Sequence, residues 1–135
     1  MRRTKAVVLL FCLLGFAPSC RKALDVQISS PADDATVSEQ PVVQGKVSDA
    51  RAAVWVVVFP LEVADEYWVQ PQAAVKPDGT WTAQIYVGDA GKEDAGKQFL
   101  LMAVANPKQS LKSGDVLKAW PPAAAQSEVV EVTRK

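Results

Sequence analysis

The chain has 135 residues, 15 basic and 15 acidic side chains, a formal net charge of zero and no histidine. That length holds one domain, and without an imidazole neither Ser-His-Asp nor Cys-His chemistry can be assembled and the commonest catalytic zinc ligand is missing. No basic run follows Lys22, which argues against nucleic-acid binding, since that needs a basic patch to displace counterions.

The first segment reads as an export address. Arg2, Arg3 and Lys5 precede Ala6 to Ala17, an apolar stretch of twelve residues, and Pro18-Ser19-Cys20 follows. This is the layout of a signal peptide. Twelve residues rise roughly 18 Å as a helix, too little for a hydrocarbon core of about 30 Å. A cleaved leader is therefore expected over 1–19. Met1 to Ser19 carries three bases and no acid, so the exported part sits near −3. Cys12 would leave with the leader, and Cys20 would then be the one cysteine left. An unpaired thiol in an exported protein calls for an explanation.

Ala17-Pro18-Ser19-Cys20 resembles the lipobox of bacterial lipoproteins. Ser19 matches the small residue before the cut, whereas Ala17 stands where a larger aliphatic is usual and Pro18 departs from the pattern. The resemblance implies acylation of Cys20, with 20–24 as a lipidated N-terminus and short tether. Acyl chains contribute about 0.8 kcal/mol per buried CH₂, so two or three of them hold a domain on a membrane. Arg21, a residue other than Asp, implies by the same resemblance passage to the outer membrane. The alternative is cleavage by an ordinary signal peptidase, with Cys20 a free thiol.

From residue 25 to 135 the chain reads as short strands between turns. Leu24 to Ser29 alternates apolar and polar residues, and Ser30-Pro31-Ala32-Asp33-Asp34 is a loop. Pro41 to Ser48 is a second strand with Val43, Gly45 and Val47 on one face. Ala53 to Leu61 is a continuous β-branched and aromatic run, as expected of a central strand covered on both faces. Tyr67 to Gln70 is a short strand ended by Pro71. Lys76-Pro77-Asp78-Gly79 is a turn, after which Trp81, Ala83, Ile85 and Val87 share a face. A polar, glycine-rich loop occupies 88–96. Phe99 to Ala105 and Glu128 to Thr133 complete the strands. Leu111, Val116 and Leu117 are spaced so that a short helix over Lys108 to Lys118, before the last strand, is expected. Pro121-Pro122 would stop it and connect to the last strand.

Seven or eight strands at this spacing predict an all-β antiparallel sandwich. A domain of this size buries about 65% of its unfolded surface, enough for a core without disulfides. Ile28-Ser29-Ser30-Pro31-Ala32-Asp33-Asp34-Ala35-Thr36-Val37, then Val43-Gln44-Gly45-Lys46-Val47, resembles the opening of bacterial immunoglobulin-like domains. Pro77-Asp78-Gly79-Thr80-Trp81 is similar to their D-G-T/S-W hairpin. The likeness implies an immunoglobulin-like or fibronectin type III-like sandwich, in which Trp55 holds the place of a core tryptophan. It does not imply an activity, because such modules serve as spacers, adhesins and accessory domains.

Candidate chemistry is sparse. Asp33-Asp34 and Asp65-Glu66 are adjacent acids, and neighbours on an extended chain point apart rather than flanking a substrate. They read as loop acids, with weak calcium binding as the alternative there and at Asp89, Glu93 and Asp94. No catalytic residue, metal ligand set or cofactor site is assigned. Tyr67 and Trp68 alternate, so one should face inward and one outward. Trp120 precedes Pro121-Pro122 and would cover one end of the sandwich. Tyr67, Trp68 and Trp120 are therefore the candidate ligand or partner contacts. The expected function is that of a non-enzymatic envelope lipoprotein, anchored to a membrane, which engages an envelope protein partner. A carbohydrate-binding module using exposed Trp and Tyr is the alternative, and no nucleic-acid partner is expected.

Overall fold

The computed structural model describes residues 23–135. The predicted leader, Cys20 and the start of the tether lie outside the described residues. The described residues form eleven strands: β1 (Val26–Ser30), β2 (Ala35–Val37), β3 (Val42–Val47), β4 (Val54–Pro60), β5 (Tyr67–Val69), β6 (Ala74–Val75), β7 (Thr80–Gln84), β8 (Gln98–Pro107), β9 (Val116–Leu117), β10 (Ala123–Gln126) and β11 (Val130–Arg134). They make two sheets. The first has the order β1-β3-β7-β6, and the second β2-β11-β8-β4-β5-β9, with β10 also paired to β8. Every pairing is antiparallel except that of β11 with β2. The architecture is an all-β sandwich.

Period-two alternation puts the core between the sheets. From the first sheet come Val43 and Val47 of β3, and Trp81 and Ala83 of β7 with Ile85 and Val87 beyond it. From the second come Val54, Val56 and Val58 of β4, Phe99, Leu101, Ala103 and Ala105 of β8, and Val130 and Val132 of β11. Full burial of each larger side chain stabilises the fold by about 1.5–3 kcal/mol. The turn expected at Lys76 to Gly79 closes the β6–β7 hairpin. Asp78 Oδ1 accepts from Thr80 N–H at 2.9 Å and from its hydroxyl at 2.6 Å, and Gly79 has a φ of 85°.

Strand β4 is covered on both faces, as its composition predicts, and the second covering is a separate apolar cluster. Val57, Val69, Met102, Val104 and Leu111 are buried there, with Trp55, Tyr67, Leu117, Trp120 and Ala123 packed around them. This corrects the expectation for Trp55. It alternates with Val54 and Val56 and so lies on the outer face of the second sheet. The tryptophan of the main core is Trp81, 1% exposed.

The expected helix over Lys108 to Lys118 is also corrected: that segment holds turns and β9. Gly114 has a φ of 90°, which interrupts helical geometry. Asp115 Oδ2 accepts from Lys112 N–H at 3.0 Å, and Val116 and Leu117 pair with Trp68 and Tyr67 of β5. Offsets of five and six residues fall about 140° and 240° round a helix from Leu111, so these three residues do not share one helix face, and Val116 is exposed. Pro121-Pro122 leads into β10 rather than directly into the last strand, and Ala125 pairs with Ala105 of β8.

Candidate functional site

The three candidate aromatics separate onto two faces. Tyr67 shares the outer face of the second sheet with Phe59. Their rings stack at 4.5 Å between centroids, and Trp120 meets Tyr67 edge-on at 4.8 Å and Phe59 at 6.2 Å. Offset or edge-to-face pairs of this kind add about 0.5–1.5 kcal/mol each beyond burial. Tyr67 and Trp120 thus bind the 106–122 excursion to the sheet.

Trp68 alternates to the opposite face. It pairs with Val58 of β4, so its ring lies on the core side of the second sheet, at the sandwich edge. There it is 40% exposed. A cleft of about 120 Å³ opens beside it, lined by Val58, Pro60, Trp68, Gln70, Tyr86 and Gly88. The cleft is the gap between β5 of the second sheet and the stretch that follows β7 in the first.

Gln70 holds the two sides of this gap together. Its Oε1 accepts from Tyr86 N–H at 2.8 Å, and its Nε2 donates to the Trp68 carbonyl at 3.2 Å. Its own N–H donates to Val56 O at 3.0 Å. The side chain is buried, and pairing both amide atoms makes that burial tolerable. Tyr86, 55% exposed, alternates with buried Ile85 and Val87 and faces away from the core.

A second groove of about 240 Å³ adjoins the first and shares Pro60 and Trp68 with it. Glu62, Glu66, Asp89, Asp94 and Lys97 contribute its charged lining. Lys97 Nζ lies 2.8 Å from Asp94 Oδ1 and 3.7 Å from Glu62 Oε2. Asp94 Oδ2 accepts from Asp89 N–H at 2.5 Å. The hydrogen bond from Lys97, aided by the Asp89 N–H, holds the Asp94 carboxyl below the ordinary carboxylate range, and Asp94 in turn raises Lys97.

Arg134 fixes the glycine-rich loop over this groove. It continues the inward alternation of Val130 and Val132 and is buried. Its guanidinium donates to the carbonyls of Val87 at 2.8 Å and Asp89 at 2.7 Å and to that of Gly91, and it lies 3.4 Å from Glu39 Oε2. Glu39 also accepts from Gly91 N–H at 3.1 Å. The polar, glycine-rich 88–96 loop is thus held at several points. A Gln at i+2 from a strand tryptophan and an Arg ending an inward-facing apolar series were the sequence features that could have disclosed Gln70 and Arg134.

The remaining acids are structural or dispersed. Asp33 Oδ1 accepts from Glu131 N–H at 2.8 Å and ties the 31–34 loop to β11. Among the described residues, no group of three or more metal-ligating side chains converges. A larger groove, about 580 Å³, runs between β1 and the Gln126–Val130 segment and contains no aromatic side chain. The Trp68 cleft combines exposed aromatic surface with polar groups, and a groove of about 480 Å³ sets the less exposed Trp55 beside Gln72, Asn106 and Lys108.

The two ends of the sandwich differ in what they carry. Asp25, where the described chain enters β1, bonds to Ser48 at the end of β3. Val42, at the other end of β3, pairs with Gln84 of β7, and Tyr86 and Gly88 follow. Six residues of β3 place the Trp68 cleft about 20 Å from the entry point. Comparison with protein-family models and with curated proteins finds no match to this chain.

Proposed function

We propose that this protein is a lipid-anchored envelope lipoprotein whose immunoglobulin-like sandwich acts as a non-catalytic protein-interaction or accessory module. The observation that carries the reading is the position of the Trp68 cleft, at the end of the sandwich remote from Asp25. A tether through Cys20 would hold the Asp25 end at the membrane and present the cleft outward. Exposed apolar residues Leu61 and Val63 lie close to Trp68 in the chain and exposed Val116 pairs with it across β5 and β9, and a half-exposed tryptophan with apolar neighbours is characteristic of an interface anchor. The immunoglobulin-like assignment rests on the Ile28–Val37, Val43–Val47 and Pro77–Trp81 segments.

Two measurements test this. An alkyne fatty acid should label the wild type and not Cys20→Ala; an unlabelled wild type removes the anchor. A photo-crosslinking amino acid at position 68, in intact envelopes, should give a reproducible protein adduct that the same label at Lys46 does not give. Absence of such an adduct removes the interaction reading. The second reading, a glycan-binding module, is favoured by the exposure of Trp68 and Tyr86 in one cleft, and retention on immobilised envelope glycan, lost in Trp68→Ala, would support it.

A further inference from the structure

We infer that the Trp68 cleft and the groove beside it recognise a cationic side chain, lysine or arginine, presented by the protein partner. This rests on the interaction-module reading and names the chemistry of its contact.

The two cavities share Pro60 and Trp68, so one entering side chain meets both. The indole face is the best aromatic partner for a cation, and guanidinium also stacks on it. The adjoining groove carries four carboxylates, Glu62, Glu66, Asp89 and Asp94, against the single cation Lys97. Asp94 and Glu62 engage Lys97. Among the described residues, no hydrogen bond or ion pair occupies the Glu66 or Asp89 carboxylate. The uncompensated charge beside the indole is therefore negative.

A neutral sugar fits this chemistry less well. The amide nearest the indole, Gln70, is committed to Tyr86 N–H and the Trp68 carbonyl. Among the described residues, the aromatic pairs all lie in the Phe59, Tyr67 and Trp120 cluster on the outer face. The cleft thus presents the Trp68 indole and the exposed Tyr86, unstacked on one another, with carboxylates in the adjoining groove, rather than a stacked platform with free amides. At about 120 Å³ it takes the head of one side chain and not a folded segment. A cation also has a long-range attraction toward this end, which speeds encounter at low salt.

The test uses the full chain, purified from membranes in detergent. The probe is a capped peptide of alternating glycine and arginine, with the same peptide carrying neutral citrulline as its control and a chitooligosaccharide as the glycan arm. Binding is read from the Trp68 indole N–H resonance and by calorimetry. The arginine peptide should bind and weaken as salt rises, and the citrulline peptide should not bind. Trp68→Ala and the isosteric double variant Glu66→Gln/Asp89→Asn should each weaken binding about tenfold. The double variant retains the shape of the groove and keeps the test valid if Trp68→Ala fails to fold. Equal binding of both peptides, or binding unchanged in the double variant, overturns the inference. Binding of the oligosaccharide alone overturns it in favour of a glycan. If neither probe binds while the label at position 68 still captures an envelope protein, the cationic chemistry fails and the interaction reading stands. If that capture also fails, both fall.

Discussion

Gly45 lies directly opposite Trp81 across the β3–β7 pair, and a Cβ added at Gly45 would overlap both the Trp81 indole and the Gln27 carbonyl oxygen. The glycine in the β3 motif and the tryptophan in the hairpin motif are thus one packing unit. Trp81 fills the space that the missing side chain leaves, on the inner face of a sheet between β1 and β7. The backbone oxygen cannot retreat without breaking the β1–β3 ladder.

Gly45→Ala is therefore expected to destabilise the domain by about 3 kcal/mol, the upper end of the range for overpacking. Thermal and urea denaturation check this. The neighbouring exposed substitution Lys46→Ala should cost less than about 0.5 kcal/mol. Equal effects at the two positions would contradict the packing account.

Arg134→Ala should cost about 3 kcal/mol, since it leaves a buried space and removes donors from the Val87, Asp89 and Gly91 carbonyls. The loss should be concentrated in the 88–96 loop. Hydrogen exchange and limited proteolysis of that loop should rise well above those of the β4–β8 ladder. Arg134→Lys should recover only part of the stability, because an ammonium cannot serve three carbonyls in the fork geometry of a guanidinium. A loop as protected in Arg134→Ala as in the wild type would show that it is held by its own turns.

The sandwich was legible in the alternation of β3 and β7, in the continuous β-branched run of β4 and in the turn at Pro77 to Gly79, because strand patterns and turn residues act locally. Four short strands, β2, β6, β9 and β10, were not. Each is two to four residues long and forms only because a partner strand is already in place. The side of β4 on which Trp55 packs was hidden for a related reason: with both faces apolar, alternation no longer distinguishes the main core from the outer cluster. Of the candidate contacts, the prediction that Tyr67 and Trp68 diverge describes what is seen. That Tyr67 and Trp120 would be joined through Phe59, and Trp68 through Gln70 to Tyr86, depends on tertiary placement that a single sequence does not carry.

Asp94 makes a specific prediction for pH. Its carboxyl is lowered in the folded state, first by the hydrogen bond from Lys97 and then by the Asp89 N–H. A group depressed on folding stabilises the fold above its unfolded value, near 3.8, and loses that contribution as the pH falls through the lower folded value. Asp94→Asn should thus be less stable than the wild type at pH 7, and the difference should shrink as the pH is taken below about 3.8. Urea midpoints at pH 7 and pH 3 measure it. A difference that is constant across this range would show that the ionised form makes no special contribution.

Gln70→Leu tests whether the cleft is held open by one side chain. The substitution removes the acceptor of Tyr86 N–H and the donor to the Trp68 carbonyl while keeping an apolar group of similar size in a buried position. An orphaned backbone donor costs about 2 kcal/mol, and that is the expected loss of stability. The damage should remain local. Ile85 N–H and Val87 N–H bond to Pro41 and Glu39 on the other side of the strand, and neither bond involves Gln70. The Tyr86 amide should then exchange faster by about tenfold or more, while the Ile85 and Val87 amides change little. Faster exchange at all three would instead mean that Gln70 supports the whole segment after β7. In that case Trp68 and Tyr86 would lose their relative positions together, and any ligand read by the Trp68 cleft should be lost with them.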